Sequence, residues 1–384
     1  MARFAMAAVS LASLMVCVSC VGDTQTRVST DPSDDDSPSE DPPTAEPVGN
    51  EEPVSELVAK IRTRVDPAYE YEYERTKFVP PEGKTLLVLG QTLDDINDLT
   101  AAFPELRAPG GWAAYWAIPN TDGLKDTVTT GSGDRQNHQV LLDRFPNSAM
   151  HSAVWMVGTW DVAKNAAWGA YDDVIRGFSR WAKNVDAPIY LRIGYEFDGP
   201  HNELEPSDYV RAYQRFVDIT REEGVDNVAF VWHSYASEPY KGYPVESWYP
   251  GDDYVDWVAV SMFGHLYGPE PGPNADAVFD FARSHKKPMM IAEASPVRGI
   301  MADDLDSWNT WFVNLFSLAY ERNVKAISFI NANWSEFAAV QPLNWQDARL
   351  QNNQTVADAF FMETAKAKYL NQSPELFEQL GFAP

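Results

Sequence analysis

Glu196 stands at the end of the apolar run IYLRIGYEF, and Glu293 at the end of PMMIAEAS. Two carboxylates at the C-terminal ends of two buried strands form the arrangement in which a (β/α)8 barrel keeps an acid/base pair for cutting a glycosidic bond. Retaining chemistry needs one carboxyl protonated and the other ionised, about 5 to 5.5 Å apart. Burial against Tyr195 and Trp232 is expected to raise the Glu196 pKa and keep it an acid. Arg192, with hydrogen bonds near Glu293, is expected to keep the second carboxyl anionic. The competing reading makes both glutamates structural, paired with Arg192 and His233. It leaves unexplained why two costly buried acids should sit at strand ends.

Those carboxylates need strands to carry them, and past residue 80 short apolar runs alternate with helical periodicity. Strands are predicted over 85–91, 111–118, 152–158, 189–197, 228–234, 255–263, 288–295 and 324–334, and helices over 171–185, 208–224 and 355–370. Pro206 and Ser207 open the second of these helices and Gly224 closes it, as caps should. Eight near-continuous apolar strands separated by helices imply a parallel sheet covered by helices, in number and span a closed (β/α)8 TIM barrel. An open doubly wound sheet is the rival. It lacks its phosphate loop, since LVLGQTLDD after the first strand has no G-x-G-x-x-G. Residues 54–79 are expected to supply an N-terminal helix and a lead-in packed on the barrel.

At the strand ends, the side chains available to line a cleft are Gln91, Trp116, Trp160, Arg192, Tyr195, Trp232, His233, Phe263, His265, Tyr267 and Trp334. Two carboxylates among aromatics and a few hydrogen-bonding groups is the composition of a glycan cleft. Trp160 and Trp334 are the favoured sugar platforms, with core packing as the alternative. Asp198, His201 and Asn202 follow Glu196 and are either subsite residues or turn chemistry. No H-x-x-x-H spacing or EF-type loop is present, so neither a catalytic metal nor a cofactor is expected.

RIGYEFDG, then VWHS, WYPGDDYVDWVAVSMFG, MMIAEAS and a Trp on the last strand, in that order, resemble glycoside hydrolase family 26 within the large retaining (β/α)8 clan. The resemblance runs from about Thr85 to Trp334, and WYPGDDYVD is its most specific piece. It implies Glu196 as acid/base, four residues after its arginine Arg192, and Glu293 as nucleophile on strand seven. Gln91 after strand one and Trp334 on strand eight also correspond. Two positions depart from the family pattern: Tyr195 replaces the His before the acid/base, and Phe263 replaces a strand-six Tyr that hydrogen-bonds the nucleophile. His265 and Tyr267 are candidates to replace that lost hydroxyl. The implied function is a retaining endo-β-glycanase, first for β-mannan, with β-1,3-glucan, β-1,3-xylan and mixed-linkage glucan close behind. A surface glycan-binding protein on a degenerate barrel is the alternative of another class; it would retain the Trp platforms and lose a carboxylate.

Composition bounds the setting. The formal charge of −26 argues against nucleic acid and disfavours a strongly anionic polymer as substrate. Residues 1–20 read as a secretory leader too short to span a membrane, ending at Cys20, which resembles a lipoprotein lipidation cysteine. Both cysteines, Cys17 and Cys20, lie in this leader, so the globular part has no disulfide and no thiol nucleophile. Residues 21–53 form an acidic, Pro-rich spacer with too little apolar surface to fold, and 54–384 form the catalytic domain. The expected protein is a bacterial outer-membrane lipoprotein, or otherwise periplasmic or secreted, a monomer held to any membrane by its lipid alone, with a polysaccharide or oligosaccharide as its partner.

Overall fold

A computed structural model describes residues 52–130, 133–156, 161–337 and 340–383. The leader with Cys20, nearly all of the acidic spacer, and Trp160 lie outside the described residues.

Eight parallel strands close into a barrel: β1 (Thr85–Gly90), β2 (Gly111–Ala117), β3 (Ala149–Trp155), β4 (Ile189–Ile193), β5 (Val228–Ser234), β6 (Trp257–Met262), β7 (Met289–Ala294) and β8 (Ala326–Ile330). Closure is complete because β1 pairs with β2 on one side and with β8 on the other. Helices such as Asp172–Ala182, Pro206–Glu222 and Pro273–Ser284 pack outside, their apolar faces against outward-pointing strand residues. This is the (β/α)8 barrel expected from the alternating pattern.

Strand alternation sorts the interior. Its lower part is apolar, built from residues that include Leu86, Val88, Ala149, Tyr190, Val231 and Trp257. Phe78 and the C-terminal Leu376 and Leu380 belong to the same cluster, and the Tyr190 hydroxyl donates to the Phe78 carbonyl at 2.6 Å. Higher on the same inward face, the strands carry His151, Arg192, His233 and Ser261. Apolar packing thus gives way to polar groups toward the strand C-termini, where a barrel builds its active site.

Several boundaries differ from the sequence expectation, three of them with consequences for the site or the closure of the fold. Strand β3 starts at Ala149, because the buried His151 and Ser152 belong to it despite their polarity. Strand β4 ends at Ile193, and the chain turns through Gly194 and Glu196, both with positive φ. The last helix is shorter, Gln354–Thr364, and Tyr369–Leu370 leave it to pair with β1. The stretch before the barrel does hold a helix, Val54–Ala59, whose Leu57 carbonyl accepts from Trp308 Nε1 at 3.0 Å.

Candidate active site

Glu293 reaches the barrel mouth through an irregularity in β7. Met290 and Ala292 face inward, so regular alternation would turn Glu293 outward. Against β6, however, the register passes from Val260↔Ile291 to Ser261↔Glu293, which adds one residue to β7. Such a bulge re-aims a side chain, and here it brings the carboxylate inside. Oε1 of Glu293 accepts from the Tyr115 hydroxyl at 2.5 Å and, in a very short contact, from Arg192 Nη1. Both donors are on one oxygen. Oε2 is left without a protein donor among the described residues.

Glu196 arrives by another route, on the turn that follows β4. Its φ of 52° is left-handed, a conformation costing roughly 1–2 kcal/mol for a side chain with a Cβ. Glycine would be the easy residue there, and it could not supply a carboxylate. Oε1 accepts from Ser261 Oγ at 2.6 Å, and Oε2 pairs with His201 Nε2 at 2.8 Å. Asn202 Nδ2 holds the turn by donating to the carbonyls of Tyr195 (3.0 Å) and Glu196 (2.8 Å).

A chain of hydrogen bonds joins the two acids. His233 Nδ1 lies 3.4 Å from Arg192 Nη1, and His233 Nε2 lies 3.0 Å from Ser261 Oγ. Because the Ser261 hydroxyl proton goes to Glu196, that oxygen must accept from His233, which places the ring proton on Nε2. Arg192 then donates to the bare Nδ1. Burial, reinforced by the Arg192 charge, holds His233 well below the ordinary imidazole pKa, consistent with a neutral ring. Burial and the same charge also keep His151 neutral.

Charge is distributed differently from the sequence expectation. Burial pushes the Glu196 carboxyl up, but the His201 hydrogen bond and charge, with His233 and Ser261, outweigh it and hold it at about 2. Burial also raises Glu293, helped by the Glu196 charge and opposed by Arg192 and Tyr115, and the net shift is upward. The carboxyl expected to be held as an acid is thus biased toward its ionised form by His201, a partner that the apolar neighbours Tyr195 and Trp232 did not suggest. Among the described residues, no group of three or more His, Cys, Asp or Glu side chains is placed to hold a metal ion.

Arg192, Tyr195 and His233 lie beside the two glutamates at the barrel mouth. The Tyr195 ring is 5.3 Å from Tyr115 and 5.4 Å from the Arg192 guanidinium, whose positive charge also lies 4.9 Å from the Tyr115 ring. Gln91 is half-buried at the end of β1, and no hydrogen bond joins it to either glutamate among the described residues. Phe263 forms part of the mouth wall, packed on Trp345 at 5.0 Å.

Other expected site residues do different work. Trp232 and Trp116 point outward: Trp232 stacks on Phe197 at 4.5 Å and donates to the Trp248 carbonyl, and Trp116 stacks on Phe178 at 5.2 Å. Asp198 ties two loops together, accepting from Ser234 Oγ and the Tyr235 amide, each at 2.6 Å. His265 is spent between the Phe263 amide and the Ala236 carbonyl, and Tyr267 accepts from the Arg298 amide. Neither of these two replaces the missing hydroxyl. Trp334 is only 5% exposed, its Nε1 bonded to Ser295 Oγ and its ring packed against Phe337 and Trp345, so it is wall rather than open platform.

Besides Ser261, two residues that sequence reasoning passed over matter here. Tyr115 supplies the hydroxyl on Glu293, from β2 rather than β6. Alternation in GWAAYWA would have found it, since Ala113 and Tyr115 share the inward face while Trp112 and Trp116 share the other. Trp155 closes β3 on the inward parity of Ala149 and Ala153 and is 40% exposed, an open indole face at the rim. Placing the strand three residues late had put it in mid-strand.

The chain matches the family model for glycosyl hydrolase family 26 over residues 174–338. It is 33% identical over 333 residues to a beta-1,3-xylanase, TXYA, from a Vibrio species, covering 80% of this chain and 70% of the relative. The chain belongs to glycosyl hydrolase family 26. A second beta-1,3-xylanase, from an Alcaligenes species, is 32% identical, covering 80% of this chain and 68% of the relative. Solved structures share the fold. GH26C from a Muricauda species superposes with a TM-score of 0.52 at 16% identity, covering 77% of this chain and 90% of that one. A beta-mannanase from Bacteroides ovatus gives 0.52 at 13%, covering 76% and 91%. Family 26 membership makes this protein a glycoside hydrolase with a (β/α)8 catalytic barrel.

Proposed function

We propose that this family 26 hydrolase is an endo-acting, retaining β-1,3-xylanase. One observation carries the substrate: the relatives above 30% identity over 80% of the chain are beta-1,3-xylanases, whereas likeness to the mannanase structures is at the level of fold. β-1,3-xylan therefore ranks ahead of β-mannan, which the motif resemblance put first. A neutral xylan also suits a chain of net charge −26, which would repel a polyanion.

The geometry supports a double displacement. Glu293 Oε2 attacks the anomeric carbon while Arg192 and Tyr115 fix Oε1, and Glu196 protonates the leaving oxygen and later deprotonates water. Trp155, at the end of β3, offers an apolar face on which a sugar ring can stack. Incubated with β-1,3-xylan, β-mannan, β-1,3-glucan and mixed-linkage glucan, the enzyme is expected to release reducing ends fastest from β-1,3-xylan. Faster release from mannan would overturn the substrate assignment and leave the family untouched.

The proposal extends to the setting. Cys20 at the end of the apolar leader, followed by the acidic Pro-rich spacer, fits a lipid-anchored enzyme whose cleft reaches polymer outside the cell. Cys20→Ala is expected to move the protein from the membrane fraction to the soluble one with its hydrolytic rate unchanged. Wild type found wholly soluble, with a mature N-terminus beyond Cys20 and no lipid mass, would overturn this.

A further inference from the structure

His201 has no part in the double displacement as usually drawn, yet the loop after β4 is shaped around it. Gly199 N donates to the Glu196 carbonyl at 2.9 Å, and Asn202 N donates to the Gly199 carbonyl at 3.0 Å, so the chain curls back over the acid/base. A Cβ at Gly199 would run into His201 Cε1 and come within 2.9 Å of Nδ1. The missing side chain leaves room for the imidazole against the turn, with Nε2 on Glu196 Oε2 at 2.8 Å. The side chain is 37% exposed, so the ring stands between the carboxyl and solvent. The remaining charged or titratable groups that act on it or lie against it are Asp198 of its own loop, Glu293 of β7 and Tyr235 after β5, whose ring is 5.0 Å away. Behind Tyr235, His265 is bonded to the Ala236 carbonyl and held below the ordinary imidazole pKa by burial.

We propose that His201 stores the proton of the acid/base, so that one proton is shared between its Nε2 and Glu196 Oε2. As the glycosidic oxygen departs, the Nε2–H bond breaks, and that one proton passes through Oε2 and bonds to the leaving oxygen. Glu196 is then a carboxylate beside a neutral imidazole. In the second step the water attacking the glycosyl–Glu293 ester gives its proton to Glu196, from which it returns to His201, and the charge count is restored. His201 touches no substrate and acts through Glu196, as a positioning residue. Burial alone would lower its pKa, but the Glu196 hydrogen bond and the charges of Glu196, Glu293 and Asp198 outweigh this and raise it. The pair thus holds its proton up to a pH above the ordinary imidazole value, and acid-dependent turnover is lost as pH rises through that point.

The inference rests on Glu196 as the acid/base, and the test separates the two. His201→Gln keeps an amide donor near Oε2 and removes the titration. On β-1,3-xylo-oligosaccharides its alkaline limb of kcat/KM is expected to move to lower pH by about one unit or more. At pH 7 the rate is expected to fall ~10- to 100-fold, at or below the low end of a general acid's full contribution, because Glu196 itself remains. On a dinitrophenyl xylobioside, whose departure needs no proton, the first step should stay within about threefold of wild type, which also reports that the variant is folded. An unmoved limb, or equal loss on both substrates, would overturn the storage role. Should Glu196→Gln retain proton-dependent turnover of the oligosaccharide, the acid/base assignment itself fails, and the proton store with it.

Discussion

Glu293→Ala is expected to lose turnover on every substrate, whatever the leaving group, by on the order of 10⁵-fold or more, the scale seen when a covalent nucleophile is removed. The reason is positional. The β7 bulge turns this one carboxylate into the barrel, and Arg192 and Tyr115 both donate to its Oε1. Among the described residues no other carboxylate shares those donors, so nothing nearby substitutes as the attacking oxygen. The variant leaves the buried Arg192 without its ion partner and should be less stable, so a circular dichroism spectrum matching wild type accompanies the rates. Rates measured on xylo-oligosaccharides and on an activated aryl glycoside check it. Survival of the activated substrate's first step in this variant would assign the nucleophile elsewhere.

The second large effect is selective. Glu196→Ala should cost about 10²- to 10⁴-fold on the natural polymer, the usual contribution of general acid–base catalysis. On a dinitrophenyl glycoside the first step should survive, with the glycosyl-enzyme accumulating because water is no longer activated. Azide, which needs no base, should then restore turnover and give a β-glycosyl azide. Loss of equal size on both substrates, with no azide response, would contradict the role given to Glu196.

How much of this was legible in the sequence depends on what each residue contacts. The strands could be read because their apolar runs face two buried layers at once, and Glu196, Glu293, Arg192 and His233 could be read because a polar residue ending such a run is conspicuous. Parity could not be read where a strand start was misplaced: β3 begins among polar residues that are themselves buried, so the apolar run marked its middle as its beginning and hid Trp155. Trp232 and Trp116 misled for a related reason, since a large aromatic at a strand end serves the helix layer or the cleft according to a single step of register. Phe263 shows the limit of reading one strand at a time. The hydroxyl that position lacks returns from Tyr115 on β2, across the barrel mouth, and only closure of the sheet brings the two strands' side chains to one carboxylate. The pairing of His201 with Glu196 depends on a left-handed residue and a glycine whose missing Cβ leaves room for a ring, neither of which leaves a periodic signal.

The central claim is that Glu293 forms a covalent bond to the sugar. A 2-deoxy-2-fluoro xylobioside with a dinitrophenyl leaving group reacts in the first step and stalls in the second, because the fluorine destabilises both oxocarbenium-like transition states while the good leaving group favours only the first. Intact-protein mass spectrometry should then show one added fluoroglycosyl unit, and peptide mapping should place it on the segment PMMIAEAS at Glu293. A label on Glu196, or inactivation without any added mass, would contradict the account.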